Sequence, residues 1–421
     1  MKKSFLCCIQ LILLLILFEL TGLSQQKKSI NPCPISADIW VLAGQSNMDG
    51  NGRTPDTLTN PQIMMLGLDD HWVLAKNPLH HIYEAVAPAY ELTIMGFPWY
   101  REMEKEKVRE ELAKKREESR IRPIGGVGPG IYFARHILEQ SGRPIGLIPC
   151  GIGGTTMDQW NPDGKPGGDS SLYGAMISRI KSASNKIKGI IWYQGESEAM
   201  SGLTKNYEND LLHLIGTIRK DVGDPDLPVI IVQIGCFNIH NPSMDKSFEV
   251  VREIQRKIIN QQKNIYMVSS IDLPLDDWVH VSTEGQKRLG KRIAEIALSY
   301  VYNLKNHAKQ IDLESIKMRK DDITGSNYLL LHFTGVSGSL TCCGRPSQFE
   351  LRVNGEPRYD YVVAKVEFDR DDPAGLKLFL SGLPNAPSQL VFGPATNPFM
   401  NITDTFDNGI PAFGLIDIPL K

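Results

Sequence analysis

"DIWVLAGQSNM", residues 38–48, is an unbroken apolar run that ends in glycine and is followed by a serine between two side-chain amides. The run lacks the alternation of a strand with one wet face, and so predicts a strand buried on both faces, as in a parallel sheet. Gly44 lets the chain turn, and Gln45 and Asn47 flank the small hydroxyl of Ser46 where that strand ends. The same residue types also make ordinary turns, so the rest of the chain has to discriminate.

Four further runs share this character: "PIGLIPC" (144–150), "GIIWYQ" (189–194), "PVIIVQIG" (228–235) and "NIYMVSSI" (264–271). Helix-like segments alternate with them, among them "GIYFARHILEQS", "YGAMISRIKSAS", "YENDLLHLIGTIRK" and "FEVVREIQRKIINQQ", with "STEGQKRLGKRIAEIALSYV" after the last. The alternation predicts an α/β domain over residues 36–304, three layers deep, with right-handed crossovers around a five-stranded parallel sheet. The exception is the long insertion 49–127, a loop rich in Pro and Asn followed by "YREMEKEKVREELAKKREESR", which reads as a solvated helix. Because it starts directly after Ser46, the insertion is also a candidate lid or substrate wall.

Beyond residue 305 the composition changes to short strand-like runs such as "YLLLHFTG", "GLKLFLSG" and "SQLVFGP", divided by Gly, Pro and Asn turns. Residues 306–421 are therefore expected to form a smaller antiparallel β domain of sandwich type. It offers no acid–base pair and no cluster of aromatics typical of a sugar platform, so its expected role is structural.

A chain of 421 residues is long enough for two domains. Its 46 basic residues against 48 acidic ones lack the basic excess of a nucleic-acid binder and point to a small neutral or mildly polar ligand. The start, "MKKSFLCCIQLILLLILFELTGLSQQ", has the basic, apolar and small-residue layout of a secretory signal peptide. Residues 1–24 are read as that signal, with Glu19 interrupting an apolar run already short for a membrane span. The mature protein is thus expected to be secreted or periplasmic, without stable membrane insertion. Of seven cysteines, Cys33, Cys150, Cys236, Cys342 and Cys343 lie beyond the signal, in neither zinc nor disulfide-framework spacing, and are expected to be mostly buried thiols.

In an open parallel sheet ligands bind at the carboxyl ends of the strands. There the sequence places Ser46, the turn "GIGGTT" with Gly153 and Gly154, then Gln194 and Glu196 in "WYQGESE", and finally Asp277 three residues before His280. This is a set of parts for acyl transfer. A serine hydroxyl needs an imidazole to take its proton, and the imidazole needs a carboxylate to fix its tautomer. The oxyanion needs preorganised donors, for which the N–H of Ser46, the N–H of Gly154 and the amide of Gln194 are candidates. Taken singly, Asp-x-x-His also describes a surface turn, "GIGG" a strand-to-helix turn, and Gln194 with Glu196 a buried hydrogen-bonded pair. No further His or Cys stands at metal-ligand spacing, and no metal or cofactor is expected.

The ordered blocks "WVLAGQSNMDGNG", "GVGPGIYFAR", "GLIPCGIGGTTMDQW", "IIWYQGESEA" and "DDWVHVSTEGQKRLGKRIAEIAL" resemble those of the sialate O-acetylesterase and acetylxylan esterase group of SGNH (GDSL-like) hydrolases. The resemblance implies a flavodoxin-like sheet of order 2-1-3-4-5, with Ser46 as nucleophile, His280 as base and Asp277 as its orienting partner. It further implies an oxyanion hole from Ser46, Gly154 and Gln194, where the broader superfamily carries Asn at the last position. Met48 stands where the elbow G-x-S-x-G has its second glycine, which speaks against a lipase. Gln45, Asn47 and Glu196 are expected to shape the turn and touch the substrate. The implied activity is removal of O-acetyl groups from a sugar, either sialate-like or, alternatively, from xylan or another plant glycan. A glycan-binding protein whose esterase site has lapsed is the rival from another class.

Overall fold

The computed structural model describes residues 31–419 except Pro55, Asp56, Leu58, Lys165, Pro166, Ser184, Asn185, His240, Tyr359, Tyr361 and Asn385. The segment 1–24, read as a signal peptide, lies outside the described residues. Strand β1 (Asp38–Gly44) is apolar and buried on both faces because a parallel neighbour flanks it on each side. Six more strands complete its sheet: β2 (Ile63–Leu66), β3 (Trp72–Leu74), β4 (Ile145–Pro149), β5 (Gly189–Tyr193), β6 (Val229–Gln233) and β7 (Ile265–Ser269). Their order is β3-β2-β4-β1-β5-β6-β7.

The five strands expected from sequence stand in the order 2-1-3-4-5. The sheet is nevertheless larger than expected, because the insertion supplies two strands at the β4 edge, β2 parallel to β4 and β3 antiparallel to β2. With four and three residues, they are too short to show a periodicity. The step from β1 to β4 runs opposite to the steps β4-β5-β6-β7, so right-handed crossovers place their helices on opposite faces. On one face the helices Gly130–Ser141 and Thr283–Tyr300 pack together. They approach so closely that a Cβ on Gly290 would lie 2.5 Å from the carbonyl oxygen of Pro129. The helices Leu172–Ala183, Tyr207–Val222 and Pro242–Ile258 form the other layer.

The charged part of the insertion is a helix, Lys105–Ile121, with Val108 and Ser119 its buried positions. From Asp312 the chain forms two four-stranded antiparallel sheets. Leu329, Leu331, Phe333, Leu376, Leu378, Leu390 and Phe392 share one core between them. Cys236 and Ile271 of the α/β domain also belong to that core, so the two domains are packed rather than tethered. Among the described cysteines none is bridged, and Cys150 and Cys236 are the buried ones.

Candidate active site

Tyr193, at the end of β5, approaches the end of β1 so closely that a Cβ on Gly44 would fall 2.0 Å from its carbonyl oxygen. Only glycine fits there, and its φ of +133° turns the chain out of the sheet. Gln45 N–H then donates to that same carbonyl at 2.8 Å. Ser46 opens the four-residue helix Ser46–Asp49, which no side chain caps, and the serine stays half-buried. The nucleophile candidate thus sits between β1 and β5, where the strand order reverses.

Beyond β7 the loop to the last helix folds back on itself. His280 Nδ1 lies 2.8 Å from Asp277 Oδ2, while Asp277 Oδ1 accepts the N–H groups of Val279 and His280 at 2.9 and 2.8 Å. Partial burial pushes the Asp277 carboxyl up, but those N–H groups and the imidazole outweigh it and hold it below its ordinary value. A carboxylate on Nδ1 fixes the tautomer that leaves Nε2 for proton transfer. Asp276 faces elsewhere, accepting the Arg53 N–H at 2.8 Å.

Asn47 joins the two halves. Its Nδ2 donates to Val279 O at 3.2 Å and its Oδ1 accepts the Val281 N–H at 2.9 Å, so one amide grips the chain on both sides of His280. The same Nδ2 donates to Glu196 Oε1 at 2.8 Å, and Gln286 Nε2 donates to Asn47 O at 3.1 Å. Ser46 and His280 are thereby brought to the same edge of the sheet, although no hydrogen bond joins Ser46 Oγ to the imidazole. In unliganded enzymes that contact is often long and tightens with substrate.

The glycine turn lies against Ser46. A Cβ on Gly153 would be 3.3 Å from Ser46 Cβ. The Asp49 carboxyl accepts the Gly153 N–H, and burial still raises it to about 8. Gly154, next in the same turn, adopts a φ of +70°.

Gln194 does not offer the donor expected of it. Its Nε2 donates to Thr155 O at 3.2 Å and to Glu198 Oε2, which engages both amide hydrogens, and only its Oε1 lacks a partner. Nor do Gln45, Asn47 and Glu196 face a substrate, for all three are buried. Gln45 Oε1 accepts from the Gly195 and Ser197 N–H groups at 3.4 Å. Glu196, raised by burial to about 7, takes the Asn47 amide. These side chains hold the strand-end loops together instead.

Sequence reasoning missed Asp49 and His80. The latter reads as a loop residue yet is buried, with Nε2 3.3 Å from where a Gly151 Cβ would stand, and burial lowers it to about 3. Phe97 was also unmarked. It stands 3.9 Å from the Cβ position of Gly154 and contacts the exposed Trp99, with ring centroids 5.0 Å apart, so the insertion forms a wall beside the site. Met48, Met157 and Trp160 are buried in the main core. Among the described residues no three metal-ligating side chains converge, and no helix is long and apolar enough to cross a membrane.

This geometry has relatives. The profile of the family "Carbohydrate esterase, sialic acid-specific acetylesterase" matches residues 36–299. A probable carbohydrate esterase of Arabidopsis thaliana is 30% identical over 285 residues, covering 62% of this chain and 90% of the relative. Human sialate O-acetylesterase is 31% identical over 98 residues, only 19% of this chain and 17% of that protein. The crystal structure of a carbohydrate acetylesterase from Xanthomonas citri superposes with a TM-score of 0.62 at 18% identity, covering 90% of this chain and 80% of that one, which shows a shared fold. The chain belongs to the sialic acid-specific acetylesterase family of carbohydrate esterases, and is a carboxylic ester hydrolase.

Proposed function

We propose that this esterase is an exported enzyme that removes O-acetyl groups from a sugar of the sialate type through an acyl-enzyme on Ser46. The observation that carries this reading is the Asn47 amide, which bonds to residues on both sides of His280 from a position next to Ser46. Ser46 Oγ attacks the acetyl carbonyl carbon as His280 Nε2 takes its proton, and Asp277 stabilises the imidazolium. The N–H groups of Ser46 and Gly154 receive the oxyanion. Collapse of the tetrahedral species breaks the bond to the sugar oxygen, which leaves with the proton from His280. Water, deprotonated by the same imidazole, then releases acetate and restores Ser46. Export rests on the layout of residues 1–24 and is checked by the N-terminal sequence of the mature protein.

The test is acetate release from a panel of acetylated sialic acid, xylan, mannan and pectin fragments. Ser46→Ala and His280→Ala are each expected to lower kcat by about 10⁴ while the protein stays folded. Wild-type acetate release by folded Ser46→Ala would end the proposal.

A further inference from the structure

The C-terminal β domain was expected to serve only as support, but one of its loops reaches the acid–base loop. Thr396 O accepts the Phe237 N–H at 2.9 Å, Asn397 Nδ2 donates to Asn238 Oδ1 at 2.9 Å, and Cys236 Sγ donates to Pro398 O at 3.5 Å. On the other side of this seam Asn238 N–H donates to Trp278 O at 2.6 Å. Between the loops lies a groove of about 430 Å³ whose walls include Asp277, Asn238, Asn397 and Phe399. The residue that orients the catalytic imidazole is thus also part of a wall built by the second domain.

The chemistry of the lining is specific. Phe399, on the groove wall, is 68% exposed, and Trp278, next in sequence to the lining residue Asp277 but not itself on the wall, is 43% exposed, high values for large aromatic side chains on a surface. Trp278 is held in place by an edge-on contact with Phe237, with centroids 5.3 Å apart, and its ring centroid is 6.3 Å from that of His280. Beside these rings the amides of Asn238 and Asn397 are solvent-facing and use one donor and one acceptor on each other. The remaining amide groups can meet hydroxyls. Among the described residues no lysine or arginine lines the groove, and the carboxylates of Asp272 and Asp277 on its wall disfavour an anion. An exposed aromatic ring with neutral amides suits the apolar face and equatorial hydroxyls of an uncharged sugar ring.

We infer that this groove is a glycosyl subsite, in which a neutral sugar unit joined to the acetylated one rests against Phe399 and bonds to Asn238 and Asn397. The C-terminal domain then selects acetyl groups carried on an oligosaccharide over those on a free monosaccharide. This rests on the carbohydrate-deacetylase reading above.

The experiment compares the full chain with its Phe399→Ala, Phe399→Tyr and Asn397→Ala variants on p-nitrophenyl acetate, on acetylated monosaccharides and on acetylated oligosaccharides of the same sugars. The sugar deacetylated fastest by the unaltered protein sets the comparison. That protein should favour the oligosaccharide over the monosaccharide in kcat/KM. Phe399→Ala and Asn397→Ala should each lose about tenfold on the oligosaccharide alone, the size of one good contact, while Phe399→Tyr keeps the preference. Equal kcat/KM on the oligosaccharide and monosaccharide, or losses that extend equally to p-nitrophenyl acetate, would overturn the subsite and leave the deacetylase standing. Hydrolysis of p-nitrophenyl acetate with no action on any acetylated sugar would overturn both.

Discussion

Asn47 has no proton to give or take in the proposed reaction, yet its amide fixes how the Ser46 turn sits against the loop of Asp277 and His280. Three hydrogen bonds of its side chain, to Glu196, Val279 and Val281, tie the Ser46 turn to the β5 loop and to the loop of Asp277 and His280, while its backbone carbonyl accepts from Gln286 of the last helix. Truncation to alanine leaves Ser46 and His280 chemically intact but frees one loop from the other. Displacements of about 1 Å cost on the order of 10² in rate. Asn47→Ala should therefore lower kcat by about that factor with little change in KM, as steady-state kinetics on p-nitrophenyl acetate would show. A KM effect alone would make Asn47 a substrate contact after all. The neighbouring acids separate in the same way. Asp277→Asn removes the carboxylate on His280 Nδ1 and should cost about 10⁴ in kcat. Asp276→Asn keeps an oxygen for the Arg53 N–H and should leave kcat within a few-fold.

The last helix of the α/β domain, Thr283–Tyr300, is anchored through a buried carboxylate. Glu295 Oε1 lies 2.5 Å from His136 Nε2, while Oε2 is 3.0 Å from His307 Nδ1 and accepts the Ala308 N–H at 3.0 Å. One side chain thus joins two helices to the segment that leads into the β domain. Burial pushes its carboxyl up, but these partners outweigh it and bring it down to about 2. A folded-state value below the unfolded one contributes stability that is complete above the ordinary glutamate value of 4.5 and disappears as pH falls toward about 2. Glu295→Gln should accordingly cost on the order of 3 kcal/mol at pH 7, with the gap in Tm from the unaltered protein narrowing below pH 4.5. A gap independent of pH would assign the loss to packing. At this scale the sequence was legible where an element is long and apolar on both faces, as in β1, β4, β5, β6 and β7, and illegible at β2 and β3. The site divides similarly. Ser46, Asp277 and His280 are polar residues at strand ends and stand out, whereas Asp49 and His80 matter only through tertiary burial. Gln194 misled because its donors are engaged by Thr155 and Glu198, one of them 39 residues away.

The two domains are held together by groups that neither could bury alone. Arg252 is 1% exposed, and its guanidinium donates to Ile234 O and Gly235 O of the α/β domain and to Gly393 O, Ala395 O and Thr396 O of the β domain. Gln233, at the end of β6, exchanges both hydrogen bonds with the backbone of Ala412. Arg292, also buried, pairs with Asp272 of its own domain and Asp407 of the other. Removing residues 306–421 would leave Arg252 with two of its five acceptors, strip Arg292 of one carboxylate and expose Ile271. A buried charge without its partners costs several kcal/mol, and the losses at two arginines approach the whole stability of an ordinary domain. A fragment ending at Lys305 should therefore be insoluble, or soluble with a Tm lowered by more than about 10 °C. Arg252→Ala in the full chain removes the central link between the two domains. It should lower Tm and, because the carbonyls of Gly393, Ala395 and Thr396 hold the loop that carries Phe399, also weaken activity on acetylated oligosaccharides more than on p-nitrophenyl acetate. A stable, fully active fragment 31–305 would show instead that the α/β domain closes its own core and that the interface arginines are dispensable.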